Sequence, residues 1–299
     1  MRIASIDIGS NTVLLLIADI VNSEIIPIIN EYRIPRISSG ISESGLISEE
    51  SIEKLYNILS EYKSLIEQHK CEKVVVNGTQ ALRVAKNSAS ILDIIKNKFN
   101  FDLNIVTGET EALYSFKGAL SSFNDNNNYV MIDIGGASTE IVFGNRNEIF
   151  YRKSFPIGAV TSKERFLKSD PPTLGELKIF ENELNNIFDE LQKINIDNSS
   201  IVAVAGTPTT LSALKIGMKE YSELEIEKTI LTMNDFDFYI SKFNKMKYRE
   251  IINHYSPIII GREDVILSGT LILRFLMKRF CKTEIYVSSR GLRYGALIA

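Results

Sequence analysis

Ser5-Ile6-Asp7-Ile8-Gly9-Ser10-Asn11-Thr12 and Met131-Ile132-Asp133-Ile134-Gly135-Gly136-Ala137-Ser138-Thr139-Glu140 are two versions of one local instruction. In each, an apolar run delivers an Asp to a turn built from Gly, Ser and Thr. Such a turn exposes backbone N–H groups and hydroxyls, which suit phosphate oxygens, beside a carboxylate suited to Mg²⁺. A single copy carries little weight, because Asp-x-Gly turns end many strands. Two copies, each opening onto further strand-like sequence, predict two like-folded domains that clamp a phosphorylated ligand between them.

Outward from the first copy, Ile3 to Asp7, Thr12 to Ile20 and Glu24 to Arg33 read as strands, with a tight turn at Asn22-Ser23. From Ser48 the period becomes helical. Ile52, Leu55, Tyr56, Leu59, Tyr62 and Leu65 share a face, Ser48 stands as the N-cap, and Glu49 and Glu50 fill the first turn. Lys73 to Asn77 reads as a buried strand, Ala89 to Phe99 as a helix, Leu103 to Thr107 as a strand and Glu109 to Leu120 as a helix. The Asn- and Asp-rich segment Ser122 to Asn128 is the clearest break in composition, and the domain boundary is placed there.

The second copy restarts the pattern with strands at Tyr129 to Asp133, Glu140 to Phe143 and Glu148 to Phe155. Helices at Thr161 to Phe166 and Leu174 to Lys193 and a strand at Ile201 to Ala205 follow. The long apolar helix Asp264 to Phe280, a strand at Glu284 to Val287 and a short terminal helix end the chain. A pattern begun twice predicts a duplicated α/β domain with a mixed sheet, over 1–122 and 123–288.

A chain of 299 residues with 44% hydrophobic content can bury substantial cores, and its length favours two domains. A formal charge of −3 argues against a general nucleic-acid coat or a membrane-surface protein. A polyanion must then be held by local donors and metal. Cys71 and Cys281 are far apart and match no metal motif; they read as buried or incidental thiols in a reducing compartment. His69 and His254 are the only histidines, which excludes a histidine-rich metal site and leaves carboxylates as the natural proton-transfer groups. Asp7 interrupts the apolar start, so no signal peptide is expected, and Val13 to Ala18 is too short to span a bilayer. The expectation is a soluble, cytoplasmic protein.

The duplicated pattern with its two turns resembles the actin, Hsp70 and sugar-kinase superfamily, whose ribonuclease H-like domains carry mixed sheets flanking a central cleft. Within it, the motifs resemble those of the exopolyphosphatase and guanosine pentaphosphate phosphohydrolase family, over almost the whole chain. The two turns look like its phosphate motifs, Thr79-Gln80-Ala81-Leu82-Arg83 matches Thr-x-Ala-x-Arg, and Gly108-Glu109-Thr110-Glu111-Ala112 matches Gly-x-x-Glu-Ala. Ala205-Gly206-Thr207 resembles the later Gly-Thr loop, and Gly291-Leu292-Arg293-Tyr294-Gly295 the Gly-Leu-Arg-x-Gly near the end. Each motif alone is weak, and their occurrence in the family's order is strong.

The resemblance implies a Mg²⁺-dependent hydrolase of terminal phosphoanhydrides, acting on inorganic polyphosphate or the guanosine alarmone, with Glu111 as catalytic base. It implies phosphate binding at Gly9, Ser10, Asn11, Thr12, Arg83, Gly135, Gly136, Ala137, Ser138, Thr139, Gly206 and Thr207, and Mg²⁺ at Asp7 and Asp133. It also implies that the C-terminal helix, 289–299, completes the first actin-like domain, and that the chain forms a homodimer. Neither a nucleic acid nor a membrane is an expected partner.

Read from the residues alone, several of these positions have two roles open. Glu111 sits early in a helix after a strand and Gly108, where it serves either as the base or as a solvated Glu complementing the helix dipole. Gly108 is expected to let the chain turn sharply. Glu140 either orients water or metal, or is an exposed strand residue. Asp7 and Asp133 either hold Mg²⁺ or cap their own turns. Arg83 either forks onto phosphate or is a surface arginine at a strand-to-helix junction. Arg262 and Arg293 divide between ligand binding and structural ion pairing, and Lys242, Lys245, Lys247 and Arg249 read as a solvated face.

Two departures bear on activity. The family places a third glycine where this chain has Ala137; the methyl is harmless at negative φ and obstructive otherwise. The chain also ends at Ala299, without the helical carboxy-terminal extension of longer members, which bears on binding of long chains. A phosphotransferase of the same superfamily and a weakly active alarmone or polyphosphate sensor are the competing readings.

Overall fold

The computed structural model describes residues 1–22, 24–123 and 125–299, so Ser23 of the expected Asn22-Ser23 turn and Asn124 of the expected break lie outside the described residues. The chain divides into two compact units, Met1–Asn124 with Arg290–Ala299, and Asp125–Ser289.

In the first unit, β1 (Arg2–Ile8), β2 (Val13–Val21) and β3 (Glu24–Arg33) form an antiparallel meander. After α1 (Ile41–Ser44) and α2 (Glu49–Gln68), β4 (Lys73–Gly78) pairs parallel with β1. Then α3 (Gln80–Val84) and α4 (Ser88–Phe99) lead to β5 (Leu103–Ile105), parallel to β4, and to α5 (Gly108–Leu120). The sheet order is β3-β2-β1-β4-β5. Alternation on β1 sends Ala4, Ile6 and Ile8 into a core shared with Leu55, Leu59 and Tyr62 of α2 and Ile91, Ile95 and Phe99 of α4. Burying each of the larger side chains contributes about 1.5–3 kcal/mol.

The second unit repeats the meander with β6 (Asn128–Ile134), β7 (Thr139–Gly144) and β8 (Ile149–Phe155). Two helices, α6 (Ala159–Phe166) and α7 (Leu174–Ile187), precede β9 (Ser199–Val204), which pairs parallel with β6. There follow α8 (Gly206–Lys215), α9 (Glu223–Ile226), β10 (Ile230–Thr232), α10 (Met233–Phe243), α11 (Tyr248–Tyr255), α12 (Ile266–Arg279) and β11 (Glu284–Val287). Strand β11 lies parallel to β9, where β5 lies beside β4 in the first sheet, and β10 adds an antiparallel edge. The order is β10-β11-β9-β6-β7-β8.

Each unit is thus an α/β domain with a mixed sheet of the ribonuclease H-like, actin-like class. The central strands β1 and β6 are both seven residues long, share one burial pattern and carry Asp7 and Asp133 at their penultimate positions. The last helix, α13 (Leu292–Ile298), belongs to the first unit and packs on α5 almost backbone to backbone. A methyl at Gly118 would stand 2.1 Å from the Gly291 carbonyl oxygen, and one at Gly295 would stand 1.8 Å from that of Tyr114. That close approach accounts for Gly118 and Gly295, whereas a methyl at Gly291 would meet nothing within 4 Å. Among the described residues, no helix is long and apolar enough to cross a membrane.

Several expected elements shift. The buried stripe of α2 includes Ile58 and Ile66, while Ile52, Tyr56 and Leu65 of the expected face are only partly buried, because docking on the sheet sets the rotation. The strand expected over 103–107 stops at Ile105, which frees the Val106 carbonyl and lets Thr107 cap α5. The helix expected to run to Lys193 ends at Ile187. Asp189–Lys193 then tighten into a 3₁₀ turn, where Glu190 accepts a 2.5 Å hydrogen bond from Tyr151 of β8. The sequence reading also missed α1, α3 and everything from α8 to α11. For α10 a signal was present: Thr232 and Asp235 form a capping box ahead of the buried Phe236, Tyr239 and Phe243.

Candidate phosphate-binding and catalytic site

In the first unit the turn after β1 closes with the Gly9 amide donating to the Thr12 carbonyl, 2.9 Å. In the second, Gly135 donates to Ser138, 3.0 Å. The two turns therefore close in the same way, with Gly9-Ser10-Asn11-Thr12 corresponding to Gly135-Gly136-Ala137-Ser138.

Each turn is tied down by its carbonyls. In the first, Ser10 accepts from the Ser38 amide (3.0 Å) and Asn11 from the Arg36 amide (3.2 Å). In the second, Gly135 accepts from Ala159 (2.9 Å), and Gly136 from Val160 (2.7 Å) and Thr161 (3.1 Å). These are the opening amides of α6, which have no partner inside their own helix. A trans peptide points its N–H opposite to its C=O, and among the described residues the only cis bonds are Asp170-Pro171 and Ser256-Pro257. The amides of Asn11 and Thr12, and of Gly136 and Ala137, are thus turned away from the supporting segments, which is what an anion-binding nest requires. Asn11 Oδ1 and Ser38 Oγ are buried at the first turn and have no hydrogen-bond partner among the described residues. Buried atoms of this kind call for water, ion or ligand.

Ala137 does not have positive φ, so its methyl sits in an ordinary backbone conformation. The third glycine of the family pattern is not needed here.

Asp7 and Asp133 each precede their turn by one residue and are half-buried. Asp7 lies in register with Asn77 on β4, and Asp133 with Val204 on β9. Among the described residues no three of His, Cys, Asp and Glu converge to cage a metal. The donor set fits an ion held by one carboxylate, water and substrate phosphate, which is the habit of Mg²⁺.

Glu111 is buried, at 9% exposure, on α5. The helix is capped by Thr107, whose hydroxyl accepts from the Thr110 amide at 3.2 Å. The entry turn is made by Thr107 in extended conformation (φ −67°, ψ 159°) and not by a left-handed Gly108, contrary to the expected glycine turn. Glu109 is exposed and complements the helix dipole, so the solvated role open to Glu111 belongs to its neighbour.

Arg83 lies on α3 and is half-buried, not at the surface. Its Nη1 donates to Glu111 Oε2 (3.1 Å) and to the Val106 carbonyl (2.5 Å), while Nε and Nη2 both donate to Gln80 Oε1 (3.0 and 2.5 Å). The guanidinium is committed to holding Glu111, a partnership the sequence reading did not foresee.

In the second unit Glu140 is buried, at 1% exposure, and accepts from Ser154 Oγ at 2.6 Å across the β7–β8 ladder. The exposed-strand alternative is excluded. Thr139 is fully buried, and its hydroxyl donates to the Ile157 carbonyl (2.6 Å), which commits its proton to the backbone. Ser138 is also buried, at 2%. Gly158 is needed behind the turn, because a methyl there would stand 2.6 Å from the Gly135 oxygen and 2.7 Å from the Ala137 nitrogen.

Gly206 and Thr207 open α8. The Arg262 guanidinium lies close against Gly206: a methyl there would fall 1.4 Å from its Nη1. Ala205 takes φ 73°, ψ −169°, a region that is essentially glycine's. Arg293 is buried, at 5% exposure, with its guanidinium 5.5 Å from the centre of the Tyr294 ring. Lys242, Lys245, Lys247 and Arg249 are all exposed. Arg36, Ser38, Ser154 and Gly158 support the site without having been singled out. Only their contacts mark them, since none lies in a recognisable motif.

Residues 16–299 match the Ppx/GppA phosphatase family. The chain is 30% identical to the bifunctional 3-dehydroquinate synthase/phosphatase of Fusobacterium nucleatum, covering 99% of this chain and 46% of that protein. It is 31% identical to Exopolyphosphatase 2 of Mycobacterium tuberculosis, covering 93% of this chain and 90% of the relative. The chain thus spans under half of the first relative and nearly all of the second. The crystal structure of the Aquifex aeolicus Ppx/GppA family member superposes with a TM-score of 0.84 at 34% identity, over 100% of this chain and 96% of that one. On the match over residues 16–299 and the shared fold over the whole chain, the chain belongs to the Ppx/GppA phosphatase family, a family of hydrolases.

Proposed function

We propose that this chain is a Mg²⁺-dependent phosphohydrolase that releases orthophosphate from the terminal phosphoanhydride of inorganic polyphosphate, guanosine pentaphosphate or both. The observation that carries the reading is the repeated turn, with its carbonyls tied back and its amides turned outward behind an Asp-bearing strand end. Outward amides bind phosphate oxygens without net protein charge, which suits a chain of formal charge −3.

Glu111 takes the proton from the attacking water as the oxygen–phosphorus bond forms. The bond from that phosphorus to its bridging oxygen breaks, and the shortened chain leaves on that oxygen. Burial beside Arg83 holds the carboxylate in one orientation, and the turn amides stabilise charge developing on the phosphoryl oxygens. Glu140, fixed by Ser154, orders solvent at the second turn. Asp7 or Asp133 would hold Mg²⁺, which would supply charge neutralisation. The sensor alternative rested on Ala137, and the backbone at that residue gives it no support.

The test is orthophosphate release by the purified protein on long polyphosphate and on guanosine pentaphosphate, with Mg²⁺ and with EDTA. Release that needs Mg²⁺ is expected, and the rate ratio names the preferred substrate. A folded protein that releases phosphate from neither substrate overturns the reading.

A further inference from the structure

Two adjacent residues of α12 touch the supports of both loops that carry candidate phosphate ligands in the second unit. Ser268 is fully buried, and its hydroxyl lies 2.6 Å from the Ala159 carbonyl oxygen and 2.8 Å from that of Val265, so one proton is shared between them. Ala159 is the residue whose amide holds Gly135 of the second turn. Gly269 lies against Thr207, where an added methyl would stand 2.1 Å from Oγ1 and 2.9 Å from Cγ2. Thr207 is itself buried, at 5% exposure, two residues after the strained Ala205.

We infer that Ser268-Gly269 is a positioning pair that fixes the second turn and the Gly206-Thr207 loop relative to each other, so that both address one polyanion. The identity of that polyanion rests on the phosphohydrolase reading. The helix can serve as a reference because Ile272, Leu273, Leu276 and Met277 pin it into the core. Packed interiors do not stretch continuously. A methyl at 269 is relieved either by displacing Thr207 with the first turn of α8, or by sliding α12 and drawing Ser268 off Ala159. Either movement shifts candidate phosphate donors of the second unit.

The pair is tested with Gly269→Ala, Ser268→Ala and the double variant Gly269→Ala/Thr207→Ser, which removes Cγ2, 2.9 Å from the new Cβ, and leaves the hydroxyl, otherwise 2.1 Å away, free to rotate clear of it. In hydrogen exchange of the full chain without substrate, Gly269→Ala is expected to speed exchange in both the 135–138 and the 206–209 segments. A change confined to 206–209 overturns the pairing. In phosphate release from polyphosphate, Gly269→Ala is expected to raise KM about tenfold with kcat nearly held, the signature of lost uniform binding, and the double variant to recover part of it. An unchanged KM in the folded variant, or a double variant no better than the single, overturns the inference. Should Gly269→Ala fail to fold, Ser268→Ala replaces it, with faster exchange at 135–138 and a raised KM expected, and wild-type values overturning. The exchange measurement uses no substrate. A wild type without phosphate release therefore sinks the functional reading alone.

Discussion

Arg83 and Glu111, 28 positions apart in the chain, meet in the first unit with Nη1 3.1 Å from Oε2. The arginine is held in turn by Gln80 and by the Val106 carbonyl, so the carboxylate is buttressed by a fork that is itself fixed. A planar guanidinium holds its donors in a fixed fork, so these three acceptors set its orientation, whereas an ammonium on a flexible stem is a rotating point charge. The pair is partly buried, where losing one partner costs more than at the surface.

Replacing Glu111 by Gln removes the proton acceptor and keeps the shape. Turnover should fall by roughly 10²- to 10⁴-fold, the usual range for a general base, while polyphosphate binding persists. Steady-state phosphate release and calorimetric binding check this, and undiminished turnover in a folded Glu111→Gln variant refutes the assignment.

Arg83→Lys separates two roles. If the guanidinium orients Glu111, kcat should fall about tenfold with KM little changed. If Arg83 binds substrate phosphate, KM should rise with kcat held. Initial-rate measurements over a range of polyphosphate concentrations decide between them.

Ala205 occupies a backbone region that costs a non-glycine residue about 1–3 kcal/mol. Its carbonyl still accepts from Thr209 Oγ1 at 2.9 Å, so the conformation is enforced by the loop. Ala205→Gly should therefore raise stability by about 1 kcal/mol, against the usual direction of Ala-to-Gly changes. Urea unfolding reads this directly, and a lowered midpoint would contradict the strain.

Glu176 completes the capping box of α7. One oxygen accepts from the Thr173 amide (2.7 Å), and the other from the Lys168 and Ser169 amides (2.9 Å each). Burial pushes this carboxyl up, but the amides of Thr173 and Ser169 and their hydroxyls outweigh it and hold the pKa at about 2. A carboxylate whose pKa is lower in the folded state contributes stability above its unfolded value of 4.5 and loses it as pH falls towards about 2. Glu176→Gln should flatten the decline of stability across that window. Urea unfolding at stepped pH tests it, and matching slopes for variant and wild type would rule it out.

What the sequence determined by itself is local chemistry. Apolar strands that carry an Asp to a Gly-Ser turn, Ser48 as N-cap and the helical face of Leu55, Leu59 and Tyr62 follow from neighbours in the chain, and the folded strands and caps stand close to where those neighbours put them. Only the tertiary structure decided which of two nearly adjacent glutamates is buried. Glu109 and Glu111 share a helix turn, and the difference between them is made by Arg83, which arrives on another helix. The same holds for Glu140, whose anchor Ser154 lies on the next strand, and for Ser268-Gly269, ordinary residues of an apolar helix until Ala159 and Thr207 pack against them. Capping and alternation act over a few residues, whereas burial and hydrogen-bond partnership depend on segments that meet only when the chain folds.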